Sequence, residues 1–194
     1  MKGEVSVNEF LAKYDISSVN GFMGDEIPLK RLGDEYYEPW ERIMDKLPGF
    51  LHTDKDEFYK QIKELPVLKL DKLKNKLEER RACVVLSFLS HGYIFTESTL
   101  RETEKRKSEY PSILPKQLAL PWWEICNKFQ MAPIMTYYTL IISNWGLLNP
   151  NSPLSLKNAY CPTLFLGGVD EAWFYLVPIE IEVQGAPGKK IQKV

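Results

Sequence analysis

A chain of 194 residues accommodates one domain, or a domain and part of another, and 44% hydrophobic with 12% aromatic residues supplies a heavy core. Lys and Arg total 25 against 26 Asp and Glu, a net charge of -1, which removes any electrostatic case for nucleic acid or an anionic membrane as partner. The start carries no signal-peptide apolar run, no segment reaches the roughly 18 apolar residues of a membrane span, and Cys83, Cys126 and Cys161 form no CxxC pair, so a cytoplasmic protein with free structural thiols is expected.

Residues 1–33 have no strong period and are punctuated by Gly21, Gly24, Pro28 and Gly33, which reads as an irregular arm with a short turn near Val7–Leu11. A helix over 38–47 follows, with Pro39 in its first turn, Trp40, Ile43, Met44 and Leu47 on one face, and Pro48-Gly49 as its stop. Asp54 and Glu57 make a capping box for a helix over 54–65. Asp71 is placed to cap the next, over 71–95, whose stretch ACVVLSFLSHGYIF is apolar on nearly every side and so belongs in the interior.

The mixed charges of 96–110 read as a solvated connection, and Pro111, Pro115 and Pro121 keep YPSILPKQLALP extended. Helices are expected over 121–129 and 133–146, the second buried on all sides. NPNSP is a loop. Asp170 opens a last helix over 170–183, although PIEIEV alternates like a strand and Pro178 predicts a kink or an end. The reading is all-α.

Catalytic signatures are sparse: there is no phosphate-binding glycine loop, no GxSxG and no HExxH. Of the two histidines, His52 sits in a polar turn and reads as a surface residue, while His91 lies on a buried helix. An interior histidine can ligate haem iron, but more often it satisfies a neighbouring backbone group. The rings of Trp122, Trp123, Tyr137, Tyr138, Trp145, Trp173, Phe174 and Tyr175 build a large core, or wall a pocket for a flat ligand. Composition does not choose between these.

Ordered blocks carry a resemblance. KYDIS at 13–17 with GF at 21–22, FLSHGYIF at 88–95, LPKQLALPWWEICNKFQMAPIMTYYTLIISNW at 114–145 and WFYLVPIEIEV at 173–183 together resemble the N-terminal part of the indoleamine 2,3-dioxygenase family. The resemblance implies an all-helical protein, with residues 1–160 as a small N-terminal domain and 161–194 as the start of a large haem-binding domain. It implies haem b as cofactor, with O₂ and L-tryptophan or a related indoleamine as substrates, and N-formylkynurenine as product.

By the same resemblance, Tyr137 and Ile141 border the indole pocket from one helix face, Phe174 is the aromatic against the substrate ring, and Pro178 lies above the iron. Phe174 and Pro178 would also touch the cofactor. The family commonly has serine where this chain has Pro178, and proline has no hydrogen to donate. Its axial histidine belongs to the large domain and matches neither His52 nor His91.

The expectation is therefore a truncated product, or half of a split enzyme with a complementing C-terminal chain, inactive alone. The alternative is a non-catalytic helical interaction module or pseudoenzyme. Trp173, Phe174, Leu176 and Val177 are expected to form an exposed apolar patch.

Overall fold

In a computed structural model, residue 11 and residues 13–103 and 113–186 are described, with backbone alone over 95–103. Helices α1 (Glu38–Thr53), α2 (Lys55–Glu64), α3 (Lys76–Thr103), α4 (Lys116–Lys128) and α5 (Val169–Gly185) carry the architecture. A two-residue ladder pairs β1 (Gly146–Leu147) with β2 (Ala159–Tyr160), antiparallel. The fold is all-α, as the sequence implies. No helix of the described residues is long and apolar enough to cross a membrane.

The stretch with no polar face becomes the axis of the fold. Every residue from Arg81 to Ser90 is buried, and α3 packs on α1, α2, α4 and the segment after α4. Phe88 and Leu89 are 0% exposed, as are Trp40 and Leu47 of α1 and Phe58 and Ile62 of α2. Burying one such side chain contributes about 1.5–3 kcal/mol, so these contacts outweigh local helix propensity.

That imbalance corrects several boundaries. Pro48-Gly49 does not stop α1, which continues to Thr53. Pro48 forfeits one backbone bond, but the extra turn buries Phe50, stacked on Phe58 at 5.8 Å. Pro121 likewise lies inside α4, which begins five residues earlier than expected, with Pro115 as N-cap; KQLAL is helical rather than extended. Helix α5 runs through Pro178 without ending, held by Tyr175 at 4% and Ile179 at 0% exposure.

Caps also differ. Asp54 caps α2 through Glu57 N–H at 3.2 Å, but the box does not close, because the Asp54 N–H bonds to Phe50 O. Asn75, not Asp71, caps α3, accepting from Glu78 N–H at 3.0 Å. Gly168, not Asp170, precedes α5, and it offers no side-chain bond. The expected turn near Val7–Leu11 lies almost wholly outside the described residues. Backbone of α3 extends to Thr103 into the charged stretch, whose remainder, 104–110, is also outside them.

The largest departure is 133–146. Only Tyr138–Ile142 coils, as a π-helical turn closed by Ser143 N–H to Tyr138 O at 2.9 Å. Thr139 Oγ1 accepts from Thr136 N–H at 3.1 Å and donates to Thr136 O at 3.0 Å, which diverts the backbone from regular α geometry. The segment then turns to set Asn144 at 0% and Trp145 at 1% exposure into the core, and Gly146 enters β1. Burial on all sides is also wrong, since Ile134 is 57% exposed.

Candidate functional site

Helix α5 packs against the π-helical turn, which brings the two pairs of expected pocket residues onto adjacent elements. Within each pair the sides differ. Tyr137 is 47% exposed and donates to Glu182 Oε1 at 3.1 Å, whereas Ile141 is 2% exposed in the core. They do not share a surface, because Tyr137 stands at the head of the turn and reaches out to Glu182, while Ile141 lies within the turn and packs inward. Phe174 is 69% exposed, and Pro178 is half-buried one turn further along α5.

Burial, then the Glu182 carboxylate, pushes the Tyr137 phenol up to about 12, so it stays a hydrogen-bond donor at neutral pH.

The glutamates that gave PIEIEV its alternation each have work to do. Glu182 takes Tyr137, while Glu180 accepts from Leu156 N–H at 2.6 Å. In the first turn of α5, Glu171 accepts backbone N–H from Phe165, Leu166 and Gly167 at 2.7, 2.8 and 3.1 Å, and the Tyr175 hydroxyl at 2.9 Å. These bonds fix α5 on the loop before it. The opposite side is left bare: Trp173, Phe174, Val177 and Ile181 are all exposed, while Leu176, expected among them, is partly covered.

Neither histidine is presented to a ligand. His52 is exposed as expected, with Nε2 against Leu166 O at 2.9 Å. His91 is used at both nitrogens: Nδ1 donates to Ser87 O at 3.0 Å, and Nε2 accepts from Met135 N–H at 3.1 Å. That pattern requires the neutral ring. Burial holds its pKa below the ordinary value, against the opposing effect of Ser87 O.

A pH dependence follows. Because the folded pKa lies below the unfolded one, the unfolded chain binds the extra proton first as pH falls. The His91 contribution is therefore complete above about pH 6.5 and is lost on acidification below it. Urea midpoints at pH 7.5 and 5.5 should differ in that sense, and His91→Gln should flatten the difference. An unchanged slope in the variant would exclude His91 as its source.

Two features escaped the sequence reading. One is a buried ion pair, Arg81 with Glu41, at 2.6 and 2.9 Å, their side chains 5% and 0% exposed. The other is a cleft of about 570 Å³ between the N-terminal arm, α3 and the π-helical turn, lined by Phe22, Phe129, Tyr137, Tyr138 and four charged residues. The partners lie 40 to 65 positions apart, so no local pattern announces them. Cys83, Cys126 and Cys161 are free thiols, as the sequence suggests. Among the described residues, no cluster of His, Cys, Asp and Glu is arranged to hold a metal ion.

Comparison with known proteins gives a consistent answer. The family model for indoleamine 2,3-dioxygenase matches residues 10–193. The chain is 34% identical to an indoleamine 2,3-dioxygenase of Saccharomyces cerevisiae, over 91% of this chain and 38% of that protein. It is 33% identical to indoleamine 2,3-dioxygenase 2 of Homo sapiens, over 93% and 41%. A myoglobin of Haliotis madaka is also similar, at 27% identity over 95% and 44%. The chain thus spans about two fifths of the length of these relatives.

Proposed function

The chain belongs to the indoleamine 2,3-dioxygenase family, and from that premise we propose that it builds the substrate-side wall of a haem pocket where O₂ opens the indole ring of L-tryptophan, giving N-formylkynurenine. The observation that carries the reading is the bare apolar side of α5, with Trp173 at 49%, Phe174 at 69% and Ile181 at 63% exposure, beside the turn that bears Tyr137 and Ile141. Aromatic and branched side chains of this kind suit a flat ring system on one side.

The residues present fit one face of haem b and not its iron. Trp173, Phe174 and Val177 offer apolar contact. His91 is committed at both nitrogens, and His52 is bonded to Leu166 O. The axial imidazole is therefore neither of them. When bound, haem supplies the activation of O₂.

The chain's own part is positioning. Phe174 lies against the indole, Tyr137 closes its far edge with Ile141 packed in the core behind it, and this apolar surface excludes water. Pro178, with neither N–H nor hydroxyl, donates no proton and no hydrogen bond at its position. We place the start of the haem-binding unit at residue 161, so that α5 is its first helix.

The test is a haem titration of residues 1–194 with an assay for N-formylkynurenine under reducing conditions. The chain alone should give no sharp six-coordinate Soret band, and its spectrum should not change in His91→Ala. Turnover should appear on addition of a histidine-bearing polypeptide corresponding to the remaining length of the relatives, and should drop in Phe174→Ala. A six-coordinate band lost in His91→Ala would refute the assignment. The lack of any donor at Pro178 favours a second reading, a family member kept as a helical interaction module without catalysis; its signature is haem binding in the complemented protein with no product.

A further inference from the structure

We propose that Cys83 and Cys126 form a dithiol site across the α3–α4 interface, which peroxide converts reversibly to a disulfide. The site goes beyond the haem-pocket reading and does not rest on it. Two cross-helix contacts fix the register of the helices. Trp122 Nε1 donates to Ser87 Oγ at 3.1 Å, and Lys128 pairs with Glu79. Positions rise along α3 as they fall along α4, so the two run antiparallel. Cys83 lies midway between Glu79 and Ser87, and Cys126 lies between Trp122 and Lys128. Residues four apart stack on one helix face, so these contacts bracket the cysteines and turn them toward each other.

The pair is enclosed, with Cys83 at 0% and Cys126 at 2% exposure. The Cys83 thiol donates to Cys126 Sγ. That bond, then burial, pushes the Cys83 thiol up, while the same bond holds Cys126 below the ordinary thiol value against its own burial. Cys126 is therefore the nucleophile of the two. Cys161 stands apart, lining a separate cavity with Arg31, Pro48 and Thr163, and burial pushes its thiol up to about 12. Among the described residues, no third His, Cys, Asp or Glu joins the pair to hold a metal ion, so the two sulfurs do not make a zinc site.

So enclosed a site admits an oxidant near the size of water, hydrogen peroxide, and turns away a bulky one such as glutathione disulfide. Cys126 gives its proton to solvent, and its thiolate attacks one peroxide oxygen. The O–O bond breaks, leaving a sulfenic acid on Cys126 and a hydroxide that recovers that proton as water. Cys83 Sγ then attacks Cys126 Sγ, the S–O bond breaks, and the departing hydroxide takes the Cys83 proton. Two thiols have lost two electrons, and one peroxide has become two waters.

The test treats folded, purified residues 1–194 with hydrogen peroxide, then blocks the remaining thiols with N-ethylmaleimide in denaturant. Intact mass and a non-reduced tryptic map are the readouts. Of the three cysteines, Cys161 alone should take up maleimide, with Cys83 and Cys126 joined in one cross-linked peptide. Dithiothreitol should restore uptake at all three. Glutathione disulfide in place of peroxide should leave Cys83 and Cys126 both alkylated. Cys161→Ser should form the bridge at the unsubstituted rate, whereas Cys126→Ser and Cys83→Ala should form none. The map is read on the unsubstituted chain, so the test stands if a buried variant misfolds. Full maleimide uptake after peroxide, a bridge that includes Cys161, sulfinic acid on Cys126 without a bridge, or a bridge that forms only in urea would each overturn the proposal.

Discussion

Arg81→Met should lower the free energy of unfolding by about 3–5 kcal/mol, the cost of leaving a buried charge without its partner. Glu41 is 0% exposed, and its carboxylate accepts from Arg81 Nε and Nη2 and from Leu32 N–H at 2.8 Å. Arg81 Nη1 donates onward to Thr163 Oγ1 at 2.9 Å, and Thr163 is bonded through its backbone to the Asn144 side chain. One ion pair therefore ties the arm, α1, α3 and the segment before α5. In the variant, the Glu41 carboxylate has only the Leu32 N–H left to hold its charge.

The double variant Glu41→Leu/Arg81→Met should recover part of the loss, since an apolar pair avoids desolvation. It leaves the Leu32 N–H without an acceptor, so recovery should be incomplete. Thr163→Val should cost only about 1 kcal/mol, one hydrogen bond. Equilibrium urea unfolding measures all three. A loss below about 1 kcal/mol for Arg81→Met would show that water reaches the pair.

The second large effect concerns association. Purified residues 1–194 should bind a hydrophobic dye and self-associate, because Phe174 and Ile181 stand 69% and 63% exposed on the same helix as Trp173 and Val177. Covering two such side chains contributes roughly 2–4 kcal/mol. Phe174→Glu with Ile181→Lys should thus weaken self-association roughly thirty- to several-hundred-fold. Sedimentation equilibrium with dye fluorescence reads this directly. The variant should keep its helical circular dichroism, since neither side chain is in the core. A wild-type chain that stays monomeric and dark to the dye at high concentration would contradict the expectation.

The amino-acid sequence alone determined the helical class, the central buried helix and the cap at Asp54, because each rests on contacts within a few residues. The run from Ala82 to Leu89 has no polar face to turn outward, and only an interior helix accommodates that. The resemblance, too, was legible along the chain in ordered blocks.

What the sequence misjudged were points where a local rule met a distant contact. Pro48, Pro121 and Pro178 each predict a break, yet each helix continues, because Phe50, Ile125 and Ile179 beyond them are buried against other elements. In 133–146 the failure ran the other way. An apolar run looked like a helix buried on every side, but the core reached for Asn144 and Trp145, and the backbone left α geometry to deliver them. Glu41 with Arg81, and Asp15 with Arg80, were invisible for one reason: a charge says in sequence that it wants water, and only the folded chain shows which charge has found a partner instead.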